Sequence, residues 1–159
     1  MINKKNGFTL IELIITVALF VIFSGIGVLA IQGYTLNKNL KTAARDIASD
    51  ISNCRQRAVS ENVNYRITFT VDASNPSNYI IEQDDGAGNF NTISTKSPSN
   101  FGADVRITNA AFFGGGTTVN IFTRGTVQSG NVQLRNSKGS TATVRVNQTG
   151  RTYVTADLQ

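Results

Sequence analysis

The chain has no histidine, a single cysteine and only two prolines. Without histidine, the usual zinc sites and the histidine-based catalytic triads are excluded. One cysteine, Cys54, excludes any intramolecular disulfide. Because the first proline is Pro76, nothing of that kind interrupts a helix before that position. Charge is sparse as well: 16% of residues are charged, and the net charge of +5 comes from basic residues scattered along the chain rather than massed in a run. That pattern is a weak pointer to nucleic acid or anionic lipid. At 159 residues the chain suits one domain of ordinary size with one extra helix.

Charge is absent altogether from Leu13 to Asn37. The densest part, Leu13 to Ile31, is long enough to cross a hydrocarbon core of about 30 Å at about 1.5 Å per residue. Lys4 and Lys5 precede it and the next charge is Lys38, so the positive-inside rule places the N-terminus in the cytoplasm and the remainder outside. A secretory signal would have a shorter apolar core and a small-residue cleavage site beyond it. Here the apolar core runs on into an amphipathic pattern. One acid, Glu12, stands within the opening "KKNGFTLIELIITVALFVIF". An ionised carboxylate at a bilayer edge or inside a helix bundle is costly unless paired or protonated, so Glu12 requires a cation. The plainer alternative makes it a polar helix end at headgroup level.

The basic leader, Gly7, Phe8, Thr9, Leu10, Ile11, Glu12 and the apolar run that follows resemble, in register, the class III signal of type IV pilins and type II secretion pseudopilins. The resemblance implies that a prepilin peptidase cuts between Gly7 and Phe8 and methylates the new amine of Phe8. Residues 1–7 would then be a leader, 8–35 the transmembrane and assembly half of a helix, and 36–159 a globular domain outside the cytoplasmic membrane. It further implies that Glu12 meets the amine of a neighbouring subunit and so sets axial register during assembly.

Beyond the membrane segment, Leu36, Leu40, Ala43, Ala44, Ile47, Ala48, Ile51, Cys54, Ala58 and Val59 recur at three- and four-residue intervals, the stripe of an amphipathic helix. Lys38, Lys41, Arg45, Asp46, Asp50, Arg55 and Arg57 occupy its other face. One helix is expected from Phe8 to about Asn62, roughly 80 Å at helical rise, loosened by Gly25, Gly27 and Gly33. From Val63 the period becomes two. Tyr65, Ile67, Phe69 and Val71 point one way, with Arg66, Thr68 and Thr70 the other. "NYIIEQ" and "FNTIST" flank the hairpin loop "DDGAGN", and "ADVRIT", "TVNIFT", "NVQLRN", "TATVRV" and "TYVTA" follow. The expectation is an α+β fold, with the long N-terminal helix packed under one antiparallel sheet or two, as in pilins.

No catalytic constellation stands out, and no cofactor or metal is expected. "FGGGT" lacks the Lys-Ser/Thr ending and following helix of a phosphate loop. Asp84 and Asp85 lack the spacing of a calcium loop and favour a turn instead. Cys54 lies on the apolar stripe and reads as a small buried hydrophobe.

Three further stretches, "AARDIASDISNCRQRAVSENVNYRITF", "IFTRGTV" and "VNQTGRTYV", are similar to GspH/FimT-like minor pilins and pseudopilins. "IFTRGTV" looks like that family's central strand and turn. This implies a minor subunit, not an enzyme, that starts or caps a type IV pilus or type II secretion pseudopilus. Its partners would be other pilins, the peptidase and the inner-membrane assembly platform. Two alternatives stay open. One is a major pilin. The other is a minor pilin that binds DNA in transformation through a Gly-Arg-x-Arg turn, which here reads Gly150-Arg151-Thr152-Tyr153 and lacks the second arginine. For that reading Arg151, Arg145 and Tyr153 are the candidate contacts, with Arg124, Arg135 and Lys138 adding charge.

Overall fold

The computed structural model describes residues 8–71 and 77–159, without the side chains of residues 24–32. The chain divides into two compact units, Met1–Thr35 and Leu36–Gln159. Helix α1 spans Leu10–Glu61. It starts after Thr9, whose carbonyl accepts the first helical bond from Leu13 N. It ends at Asn62, which turns the chain away with a φ of 55°, a left-handed position that asparagine tolerates better than most residues.

Eight strands follow: β1 (Tyr65–Phe69), β2 (Tyr79–Asp84), β3 (Phe90–Lys96), β4 (Arg106–Phe112), β5 (Thr118–Ile121), β6 (Gly130–Arg135), β7 (Thr141–Val146) and β8 (Thr152–Asp157). They form two four-stranded sheets, ordered β3-β2-β1-β5 and β4-β6-β7-β8, with every pairing antiparallel. The α+β expectation is borne out, in its two-sheet form.

Period-two alternation drives this arrangement. Tyr65, Ile67 and Phe69 of β1 are buried while Arg66 and Thr68 are half-exposed. Val132 and Leu134 of β6 meet Val144 and Ala142 of β7 in register on the buried face. These side chains join Leu40, Ala43, Ala44, Ile47, Ile51, Cys54 and Ala58 of α1 in one core. The Phe69 ring stacks on Phe112 at 5.8 Å between centroids, which ties the first sheet to the second. Each fully buried isoleucine or leucine in this core contributes about 2 kcal/mol through removal from water.

The structure departs from the sequence reading at several points. Val59 and Val71, placed on the apolar faces of the helix and the strand, are 54% and 40% exposed, while Ala58 and Phe69 beside them are buried. Asp50, placed on the polar face, is buried. β4 begins three residues after the start of "ADVRIT" and continues to Phe112. Of the "IFTRGTV" stretch only Ile121 belongs to β5; the residues after it form a turn that returns to Ile121 through a bridge with Val127. Pro98–Asn100 adds a short 3-10 turn, capped by the Ser97 hydroxyl.

Candidate functional site

In the first unit, Phe8 and the side chains of Leu10, Ile11, Leu13, Ile14, Phe20, Ile22 and Phe23 all face outward, Phe8 at 80% exposure and Phe23 at 69%. So much continuous apolar surface is not left to water; lipid or another protein must cover it. Among the described residues no helix is long and apolar enough to cross a membrane. The side chains of the second half of the expected Leu13–Ile31 span are not among those described, and the leader, including Gly7, also lies outside the described residues.

Glu12 and Thr9 form a reciprocal cap. Thr9 N and Thr9 Oγ1 both donate to Glu12 Oε2, at 3.1 and 3.0 Å, and Glu12 N donates to Thr9 Oγ1 at 3.3 Å. This is the capping box of a Thr-x-x-Glu sequence, which satisfies backbone donors that the first helical turn leaves without partners. The same Thr-x-x-Glu spacing stands in "FTLIE". The box uses one carboxylate oxygen; Oε1 has no partner among the described residues. Glu12 is therefore oriented toward the very end of the helix, beside the residue that follows Phe8.

The second unit is fastened by three polar anchors along its helix. Near its start, Asn37 Oδ1 accepts from Asn136 Nδ2 at 3.1 Å and Ser140 Oγ at 2.9 Å, while Asn37 Nδ2 donates to the Gln159 carbonyl at 3.2 Å. In the middle, buried Asp50 accepts from the Tyr79 hydroxyl at 2.7 Å and from Lys96 Nζ at 2.8 Å, and Asp46 accepts from the same two donors at 3.0 and 3.4 Å. Burial, reinforced by Asp50, pushes the Tyr79 hydroxyl far above its ordinary value, so it stays a donor. Burial works against the Lys96 ammonium, but the hydrogen bond and charge of Asp50, with help from Asp46, leave its pKa raised. Cys54, close to Asp50, is pushed up to about 11 by burial and then by that carboxylate, so it is an inert thiol at neutral pH.

The third anchor is Arg55. Its Nε donates to the Gly125 carbonyl at 2.8 Å. Its side chain also lies against Gly150, where an added Cβ would stand 2.2 Å from Arg55 Cδ. Gly125 and Gly150 both have a φ of 76°, open to glycine and strained for other residues. The turns holding them are joined to each other, since Val127 N donates to the Gln148 carbonyl at 3.0 Å. Arg55, expected on the solvated face of α1, thus gathers the "IFTRGTV" and "VNQTGRTYV" stretches onto the helix.

On the second sheet, Arg145 of β7 and Tyr153 of β8 are register partners. Arg151 lies in the preceding turn, where its N–H donates to Asn147 Oδ1 at 2.9 Å. The three residues singled out as candidate DNA contacts thereby lie near one another at the end of the β7–β8 hairpin that holds its turn. Arg124 belongs to the neighbouring turn, which Arg55 holds through Gly125 and which is joined to the Gly150 turn by the Val127–Gln148 hydrogen bond. Asp84 and Asp85 cap their hairpin loop, accepting from the backbone N–H groups of Gly86, Ala87, Gly88 and Asn89. Among the described residues no cluster of three or more cysteine or carboxylate side chains is placed to hold a metal ion.

Comparison with known proteins agrees with this architecture. The prokaryotic N-terminal methylation motif matches residues 2–28, and the type II transport protein GspH family matches residues 43–150. The chain belongs to the GspH family of type II transport proteins. Two structures of the minor pseudopilin EpsH from the type II secretion system of Vibrio cholerae share its fold. They superpose with TM-scores of 0.58 and 0.57 at 8% identity, covering 74% and 77% of this chain and 97% of each EpsH chain. At that identity the likeness speaks for the fold. No curated protein matches the sequence.

Proposed function

We propose that this protein is a minor pseudopilin of a type II secretion system. On this reading it is cut between Gly7 and Phe8, methylated on Phe8, held in the inner membrane by its N-terminal helix, and drawn into a pseudopilus with other pseudopilins. The observation that carries the proposal is the union, in one chain, of the methylation motif at residues 2–28 with a GspH domain at 43–150. The outward-facing apolar side chains from Leu10 to Phe23 supply the surface that lipid covers before assembly and neighbouring helices cover after it.

Glu12 is the assembly residue in this account. Cleavage creates a cationic amine on Phe8, next to the capping box. Thr9 already holds one oxygen of Glu12, which leaves the other to accept the amine of an adjacent subunit. A carboxylate with a fixed direction loses less conformational freedom on meeting that cation than a freely rotating one. Glu12→Ala is expected to be processed and inserted normally and to be absent from filaments purified from cells that also carry the other pseudopilins. Quantitative mass spectrometry of those filaments tests this, and wild-type levels of the variant would refute the role of Glu12. A subunit count near that of the bulk component would refute the minor assignment.

A further inference from the structure

We propose that the outer face of the second sheet is a binding surface for a carboxylate-bearing polysaccharide. Registers place its residues in rows across the strands. Arg135 of β6 stands opposite Thr141, Gln133 opposite Thr143, and Asn131 opposite Arg145, which in turn faces Tyr153. The intervening residues Val132, Leu134, Ala142 and Val144 point into the core, so the named side chains share the solvent side.

Charge, hydrogen-bonding capacity and shape all bear on the occupant. Arg135 and Arg145 are exposed and have no ion-pair or hydrogen-bond partner among the described residues. Asp157, opposite Thr141, is the one acid among the residues paired on this face. A surplus of cations selects an anion. Arg145 lies four residues along β7 from the position opposite Arg135, so the two guanidinium groups are anchored about 14 Å apart along the strand. Between them lie amides and hydroxyls, and Tyr153 offers a half-exposed ring.

A sugar polymer meets each of these features. Spaced carboxylates pair with the arginines, ring hydroxyls bond Asn131, Gln133 and Thr143, and a pyranose face stacks on Tyr153. A protein partner fits less well, because the centre of a protein interface is apolar and this face is polar between its arginines. Nucleic acid fits less well too, since backbone binding wants a denser row of cations and single strands want several stacking aromatics.

The test uses the full chain in detergent micelles and the anisotropy of a fluorescent oligogalacturonate at physiological ionic strength. Saturable binding is expected, displaced by unlabelled oligogalacturonate and untouched by neutral dextran. Arg135→Gln with Arg145→Gln is expected to weaken it by about tenfold or more. Tyr153→Ala should weaken it by about threefold. Lys38→Gln with Arg124→Gln, which removes the same net charge elsewhere, should leave it unchanged. Thermal melts of each variant establish that the fold is retained. Absence of saturable binding would overturn the proposal, as would equal losses in the two double variants. Tighter binding of duplex DNA through Arg135 and Arg145 would replace the polysaccharide with nucleic acid.

Discussion

The side chain of Arg55 fills the space that a Cβ on Gly150 would need: such an atom would lie 2.2 Å from Arg55 Cδ and 2.6 Å from Nε. A residue in the middle of the domain's helix and a glycine close to the last strand therefore constrain each other across nearly a hundred positions of sequence. The same arginine bonds the carbonyl of Gly125. Two turns that carry the family resemblance owe their shape to one guanidinium arm.

Gly150→Ala is accordingly expected to destabilise the domain by about 2 to 4 kcal/mol, combining a left-handed backbone with an overpacked contact. Arg55→Ala removes the contact, so the same glycine change made in that background should cost only the backbone part, about 1 to 2 kcal/mol. Denaturant unfolding of the four proteins in this cycle measures the coupling. Simple additivity would mean that Arg55 and Gly150 do not restrain one another.

The Asp50 anchor makes a second prediction. Asp50→Ala strips both Tyr79 and Lys96 of their main acceptor and should cost about 2 to 4 kcal/mol, less than a fully buried pair because Lys96 is one-third exposed. Tyr79→Phe removes one hydrogen bond and should cost about 1 kcal/mol. Equal effects of the two substitutions in urea unfolding would contradict a central role for the carboxylate.

These anchors are where the sequence was least readable. The strands were legible because alternation survives in the residues themselves: "TATVRV" became β7 without adjustment, and the "DDGAGN" loop became a hairpin held by its own aspartates. The apolar stripe from Leu40 to Ala58 was equally plain. By contrast, Asp50 and Arg55 were assigned to water because hydrophobicity alone cannot tell a solvated charge from one bonded to a distant tyrosine or carbonyl. Nor can local pattern say that β5 returns to pair with β1 while β4 joins β6, since both pairings are non-local. At the N-terminal end of α1 both members of the cap, Thr9 and Glu12, stand at the Thr-x-x-Glu spacing in the sequence itself.

Acid should weaken the fold partly through Glu82. Its hydrogen bonds with Arg66, at 2.7 and 3.0 Å, outweigh burial and hold its pKa below the ordinary glutamate value. The folded state therefore binds this proton less readily than the unfolded chain. The stabilisation is complete above the unfolded value of about 4.3 and disappears as pH falls through the lower folded one. Melting curves between pH 6 and about 3 should show a decline that is shallower in Glu82→Gln. An unchanged slope in that variant would assign the acid sensitivity to other carboxylates.

The Thr9 cap predicts a local effect. Thr9→Val keeps the backbone N–H that donates to Glu12 but loses the hydroxyl that donates to Glu12 Oε2 and accepts from Glu12 N, and should speed amide exchange in the first turn of α1, while Thr9→Ser should preserve protection. Exchange measured in micelles, with the globular domain as internal reference, reports this directly. Identical protection in Thr9→Val would show that the box contributes nothing to order at the helix end.

The account depends most on what lies at the N-terminus of the native protein, because the amine of Phe8 is the cation assigned to Glu12. Intact-mass spectrometry of protein purified from its own membrane, followed by sequencing of the N-terminal peptide, reads it directly. The predicted result is a chain that begins at Phe8, bears one methyl group on its amine and retains the apolar helix. A chain still carrying Met1 to Gly7, or one trimmed beyond Phe23, would contradict it.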